Sequence, residues 1–128
     1  MQKGYSGTKY SKRLERTKLN SNRKGKDGER EVATILKRRG FPARRGVQYH
    51  GSPDSPDVIG IDGVHIEVKR VEALNIDQAL EQSARDAGSD IPTVFHRRNG
   101  KKWKVTMYLS DWLEIIIAWL RAKKEGLL

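Results

Sequence analysis

The chain has 128 residues, no cysteine, and a formal net charge of +10, with a third of its residues charged. That length allows one domain with a substantial core, and the absence of cysteine excludes a disulfide framework and a thiolate metal site. The longest apolar run, residues 115–120, is far short of a membrane span, and the charged start carries no apolar leader, so a cytoplasmic protein is expected.

The charge is unevenly placed. Residues 1–26 hold nine Lys/Arg against one Glu, whereas residues 27–128 hold 17 Lys/Arg against 15 Asp/Glu. The first 26 residues are also poor in apolar side chains. They offer too little buried surface to offset the entropy of ordering, so the reading is an extended or disordered basic arm, with a helical turn at most near residues 12–18. Such an arm on a nearly balanced domain suits a nucleic-acid binder, because each phosphate contact releases counterions. The bland alternative is a solubilising tail.

From Asp27 the pattern changes. Val32, Ala33, Ile35 and Leu36 form a helical stripe that Gly40 ends. Glu29 falls on the edge of that stripe and Glu31 points well away from it. An acid on a core-facing edge is costly without a partner or a metal, although a first-turn glutamate is also favoured by the helix dipole. Residues 41–48 contain Arg44 and Arg45 and suggest a short edge strand. Residues 49–55 are turn chemistry throughout.

Next come two β-rich runs, residues 58–61 and 64–68, joined through Asp62-Gly63. In the second run Val64, Ile66 and Val68 alternate with His65, Glu67 and Lys69, so apolar and polar residues occupy opposite faces. A two-residue loop would pair Asp57 with Val68, on the wrong face. A three-residue loop, or a bulge at Gly60 or Gly63, pairs Asp57 with Glu67 and brings two carboxylates together. The two glycines favour the second arrangement.

Asn75 or Asp77 caps a helix through Ala87, closed by Gly88. Residues 93–97 form a strand, Asn99-Gly100 turns it, and residues 103–108 return antiparallel. Ser110 or Asp111 caps a final helix stopped near Gly126. Its apolar face, with Trp112, Ile115, Ile116, Trp119 and Leu120, is mostly core but exceeds one ordinary stripe, and a residual exposed face suits a homodimer. The sum is a single α/β domain, residues 27–128, with a mixed sheet flanked by helices.

Asp57, Glu67 and Lys69, with Glu29 nearby, form the set that carries chemistry. Converging carboxylates repel unless a divalent cation sits between them, and all-oxygen ligands suit Mg²⁺ or Mn²⁺. The Val68 backbone carbonyl can add another oxygen. A metal-bound water can then attack a phosphodiester, with Lys69 orienting or helping to deprotonate it and stabilising the phosphorane charge. The three histidines, His50, His65 and His96, lack zinc-ligand spacing; His65 shares the polar face with Glu67 and is assigned no catalytic part. Arg97, Arg98, Lys101, Lys102 and Lys104 flank the second hairpin, where they can grip phosphates or simply protect a solvated turn.

Each part alone is common. Together, an acid on a helix, Pro56-Asp57, nine intervening residues, then Glu67-Val68-Lys69 on a valine-rich strand resemble the PD-(D/E)XK nuclease superfamily. Within it the chain is most similar to small Holliday junction resolvases of archaeal type and their phage-encoded relatives. That likeness rests on Gly28-Glu29-Arg30-Glu31, Gly40-Phe41, Ser55-Pro56-Asp57-Val58 and Ile66-Glu67-Val68-Lys69, and covers roughly residues 24–87.

The resemblance implies a restriction-endonuclease-like fold and a Mg²⁺-dependent endonuclease for branched DNA, serving DNA recombination or repair. Asp57 and Glu67, with the Val68 carbonyl, would hold the metal, Glu29 through water, and Mn²⁺ would substitute. Lys69 would be the catalytic lysine and Gln82 a further site residue; for Gln82 a solvated helix position is the plain alternative. DNA contacts would fall on Arg23, Lys24, Lys26, Arg30, Arg44, Arg45, Ser52, Arg97, Arg98, Lys101 and Lys102. A homodimer, no membrane, no small-molecule cofactor and the cytoplasm (the host's, if phage-encoded) complete the expectation. Two other readings stand beside it: another PD-(D/E)XK nuclease of nicking, flap or repair type, and a non-catalytic DNA-binding protein on this fold.

Overall fold

A computed structural model describes residues 3–46 and 55–128, with side chains in the first helix described at Lys12 and from Ser21 onward. Among these residues the order is α1 (Lys3–Arg38), β1 (Arg44–Arg45), β2 (Val58–Ile59), β3 (Val64–Arg70), α2 (Ile76–Ala87), β4 (Ile91–Arg97), β5 (Lys104–Thr106) and α3 (Leu109–Lys124). The strands form one sheet in the order β1-β2-β3-β4-β5. β3 and β4 run parallel and every other neighbouring pair is antiparallel, so the sheet is mixed, as expected. The parallel pair needs a crossover, which α2 supplies.

α1 covers one face of the sheet. Val32 and Ala33 from the helix meet Ala43, Val58, Ile66 and Val68 in one buried cluster. Gly28 lets the helix approach closely, since a Cβ there would lie 3.0 Å from Arg70 Cβ. The helix ends in a Schellman motif: Phe41 N–H donates to Leu36 O and Gly40 N–H to Lys37 O, with Gly40 at φ 96°. On the opposite face Ala79 and Leu80 of α2 pack on Val94, and Ser83 Oγ donates to Thr93 O at 3.0 Å. Asn75 caps α2, its side chain accepting from Gln78 N–H.

Two segments depart from the sequence reading. The basic segment is not extended: α1 runs without interruption from Lys3 to Arg38. A helix already held by its packed C-terminal half needs no new nucleus, and Lys, Arg, Leu and Glu all propagate it well. The final helix starts at Leu109 on Tyr108, with no side-chain cap from Ser110 or Asp111, and none of its residues is buried. Trp112, Leu113, Ile115, Ile117, Trp119 and Leu120 are all exposed, so among the described residues this apolar surface joins no core cluster. Among the described residues no helix is long and apolar enough to cross a membrane.

Candidate active site

The site begins with the register of β2 on β3. Val64 N–H donates to Ile61 O at 3.2 Å across the Asp62-Gly63 turn, yet Val58 pairs with Ile66. The β2 side therefore holds one residue more than the β3 side between turn and pair. Gly60 absorbs it at φ 130°, where a Cβ would lie 2.6 Å from Ala43 Cα. Only glycine fits there, and the bulge it permits, continued one residue beyond Val58, sets Asp57 opposite Glu67.

Asp57 is held on β3 from both its ends. Its N–H donates to Ile66 O at 2.9 Å, and its Oδ2 accepts the Val68 N–H at 2.8 Å. Burial foremost, then the Glu67 charge, push its carboxyl up to about 7; the Val68 N–H and Lys69 pull the other way, and Glu29 adds to the rise. These are the electrostatics of a buried carboxyl beside two other acids.

Glu67 is 6% exposed. Its Oε2 lies 3.9 Å from Lys69 Nζ and its Oε1 lies 3.6 Å from His65 Nε2. The polar face of β3 is thus not solvated: β3 is the central strand, covered by α1 on one side and α2 on the other, and His65 and Glu67 are both buried. Lys69 remains partly open and shares a groove with Asn75, Gln78 and Gln82 of the α2 segment. Glu29, on the edge of the buried stripe of α1, has the partner its position demands, Arg45 Nε at 2.9 Å.

The structure therefore brings Asp57, Glu67 and Lys69 together, with Glu29 near enough to act on Asp57 and Gln82 across the groove. The basic residues divide. Arg23, Lys26, Arg98, Lys101 and Lys102 are exposed, as are Arg44 and Arg30, the latter paired with Asp27 at 3.0 Å. Arg45 is engaged by Glu29, Lys24 by Glu72 at 3.2 Å, and Arg97 by Glu31 at 2.8 Å. Ser52 and His50 lie outside the described residues. His96 bonds Thr106 Oγ1 at 2.9 Å.

Sequence reasoning missed Glu31. Far from standing apart, it receives Arg97, Arg70 at 3.2 Å and the Trp103 indole N–H at 3.2 Å, tying α1 to β3, β4 and the last hairpin. It borders a groove that also gathers Arg30, Arg38, Lys101 and Lys102. It missed Asp86 too, an acid on α2 whose carboxylate comes close to His65 and Glu67. The cues were weak, because both contacts depend on which residues of β3 and β4 face which helix.

A family model described as archaeal Holliday junction resolvase (hjc) matches residues 20–110. Among solved structures, the chain is similar to Hjc from Archaeoglobus fulgidus, described as a Holliday junction resolvase from an archaeal hyperthermophile. That match has 31% identity, covers 62% of this chain and 72% of the other, and has a TM-score of 0.45. No curated protein matches at a significant level.

Proposed function

The chain belongs to the archaeal Holliday junction resolvase (Hjc) family, and from that membership we propose a divalent-metal-dependent endonuclease that resolves four-way DNA junctions through Asp57, Glu67 and Lys69. The observation that carries this reading is Asp57, fixed by Val68 N–H opposite Glu67, with its carboxyl pushed up to about 7. Such a pair fits a hard divalent cation, which would restore the missing positive charge. Asp57 and Glu67 would hold the ion, with the Val68 carbonyl and, through water, Glu29 as further oxygens. When bound, Mg²⁺ or Mn²⁺ supplies Lewis-acid polarisation of a phosphate oxygen and a water of lowered pKa.

The chain's own groups then account for the rest. The Lys69 ammonium, partly open beside Glu67, orients the attacking water, whose proton goes to solvent, and offsets the charge that builds on the phosphoryl oxygens as the new P–O bond forms and the bridging P–O bond breaks. Gln82, across the same groove, positions substrate. Glu29 is held ready by Arg45, and its charge reaches Asp57. Exposed Arg23, Lys26, Arg30, Arg44, Arg98, Lys101 and Lys102 contact the DNA backbone and supply affinity without sequence preference.

A four-way junction presents two strands related by a two-fold axis, and each needs its own site. A symmetric dimer meets that need. The unburied apolar surface of α3 supports a second copy of this chain as what covers it. Acting on DNA, the protein works inside the cell.

Asp57→Asn and Glu67→Gln test the site. Each should cut junctions at least about 100-fold more slowly while binding them as tightly as the parent or more so, since a negative charge near phosphate is gone. Cutting at the parental rate by either variant would remove these residues from the site.

A further inference from the structure

Glu67 has two neighbourhoods. One oxygen lies toward Lys69, and the other toward His65, two residues back on the same face. Asp86 reaches this second side from α2, and one ligand atom from each of His65, Glu67 and Asp86 lies within 4.8 Å of the others.

His65 makes the cluster more than two acids. Its side chain is 3% exposed and, among the described residues, its Nε2 has no hydrogen-bond partner. At 3.6 Å from Glu67 Oε1 it is beyond hydrogen-bond length, but the spacing suits two ligands of one ion, which stand about 3 to 3.5 Å apart when each bond is about 2.1 Å. A buried imidazole nitrogen without a partner is costly, and so are two carboxylates side by side. One cation removes both costs.

We propose that His65, Glu67 and Asp86 form a transition-metal site, distinct from the Asp57 side of Glu67. One imidazole nitrogen with two carboxylate oxygens is a donor set for Mn²⁺, Fe²⁺, Co²⁺ or Zn²⁺ rather than Mg²⁺. The ion joins β3 to α2 and fixes the orientation of the Glu67 carboxylate, leaving its other oxygen for the Asp57 side. The site shares Glu67 with the proposed nuclease centre but does not depend on that centre being catalytic.

Co²⁺ is the probe, because its visible d–d absorption reports a nitrogen- and oxygen-ligated ion directly. The full chain is titrated with Co²⁺ in excess Mg²⁺, with bound metal counted by equilibrium dialysis. The parent should bind one Co²⁺ per chain with a d–d band. His65→Leu and Asp86→Asn, each checked for fold by circular dichroism, should weaken that binding by about tenfold or more. Asp57→Asn should keep both the band and the stoichiometry. The proposal is overturned if no Co²⁺ binds in excess Mg²⁺, if the band survives in His65→Leu and Asp86→Asn, or if Asp57→Asn removes it. Junction cleavage in Mg²⁺ alone, measured on the parent, reports on the nuclease separately.

Discussion

Asp57 accepts a 2.8 Å hydrogen bond from the Val68 backbone N–H, so the first acid of the site is fixed by the residue next to the second, Glu67. The acid sits just outside β2, its backbone bonded to Ile66 and Gly46 and its carboxylate to Val68. A side chain bonded to a central strand has little freedom, so the fold itself sets Asp57 beside Glu67. The cost is electrostatic, and it appears in the Asp57 carboxyl itself.

An acid whose folded-state pKa lies above its unfolded value binds its proton more tightly in the fold, so its contribution to stability falls as pH rises between the two. For Asp57 that window runs from about 4 to about 7. In EDTA the parent should therefore lose stability across this window relative to Asp57→Asn. At about pH 7.5 the variant should melt higher, by on the order of 5 °C, and the gap should close near pH 4. Equal melting temperatures at both pH values would mean that the Asp57 charge is not a burden on the fold.

Gly60 is required twice over, by its φ of 130° and by the backbone of Ala43 at 2.6 Å from a built Cβ. Gly60→Ala should cost at least about 2 kcal/mol in denaturant unfolding and move Asp57 away from Glu67. Gly63→Ala, at φ 81° but in open space, should cost only about 1 kcal/mol. Equal costs would show that the bulge is not pinned at Gly60.

Much of this was legible in the chain. The two glycines beside Asp62, together with Asp57 and Glu67, chose the bulged register over the regular hairpin, and Asn75, Gly40, Gly88 and Gly100 marked their ends and turns. Other features were not. Alternation in β3 separates two faces without saying whether the polar one meets water or a helix, so the burial of His65 and Glu67 beneath α2 was hidden, and Asp86 with it. Glu31 does point away from its own helix stripe, but its partners sit on strands 39 and 66 residues later. The composition of the basic segment argued against independent order, whereas it extends a helix anchored elsewhere. The apolar side chains of α3 read as core because a sequence does not show whether its own chain buries them.

Removing residues 1–23 takes away seven Lys/Arg and only one acid. Junction binding should weaken, and the slope of log K against log salt should flatten by up to about 0.9 for each phosphate that the shortened chain no longer neutralises. An unchanged slope would leave this part of α1 out of the DNA interface.

Ile115 and Trp119 lie one turn apart on α3, both exposed. Sedimentation equilibrium should give the parent a mass twice the 14.6 kDa of one chain. The double variant Ile115→Glu/Trp119→Glu should sediment as a single chain with its circular dichroism retained. A parent that is monomeric at tens of micromolar would assign the α3 surface to something other than a second copy.

The most direct test is cleavage of a labelled four-way junction beside a linear duplex built from the same arms, in Mg²⁺ and in EDTA. Paired, symmetry-related nicks should appear in the junction with Mg²⁺, none in the duplex, and none in either substrate in EDTA. Equal cutting of duplex and junction, or no cutting with any divalent metal despite tight junction binding, would rule out a metal-dependent junction resolvase.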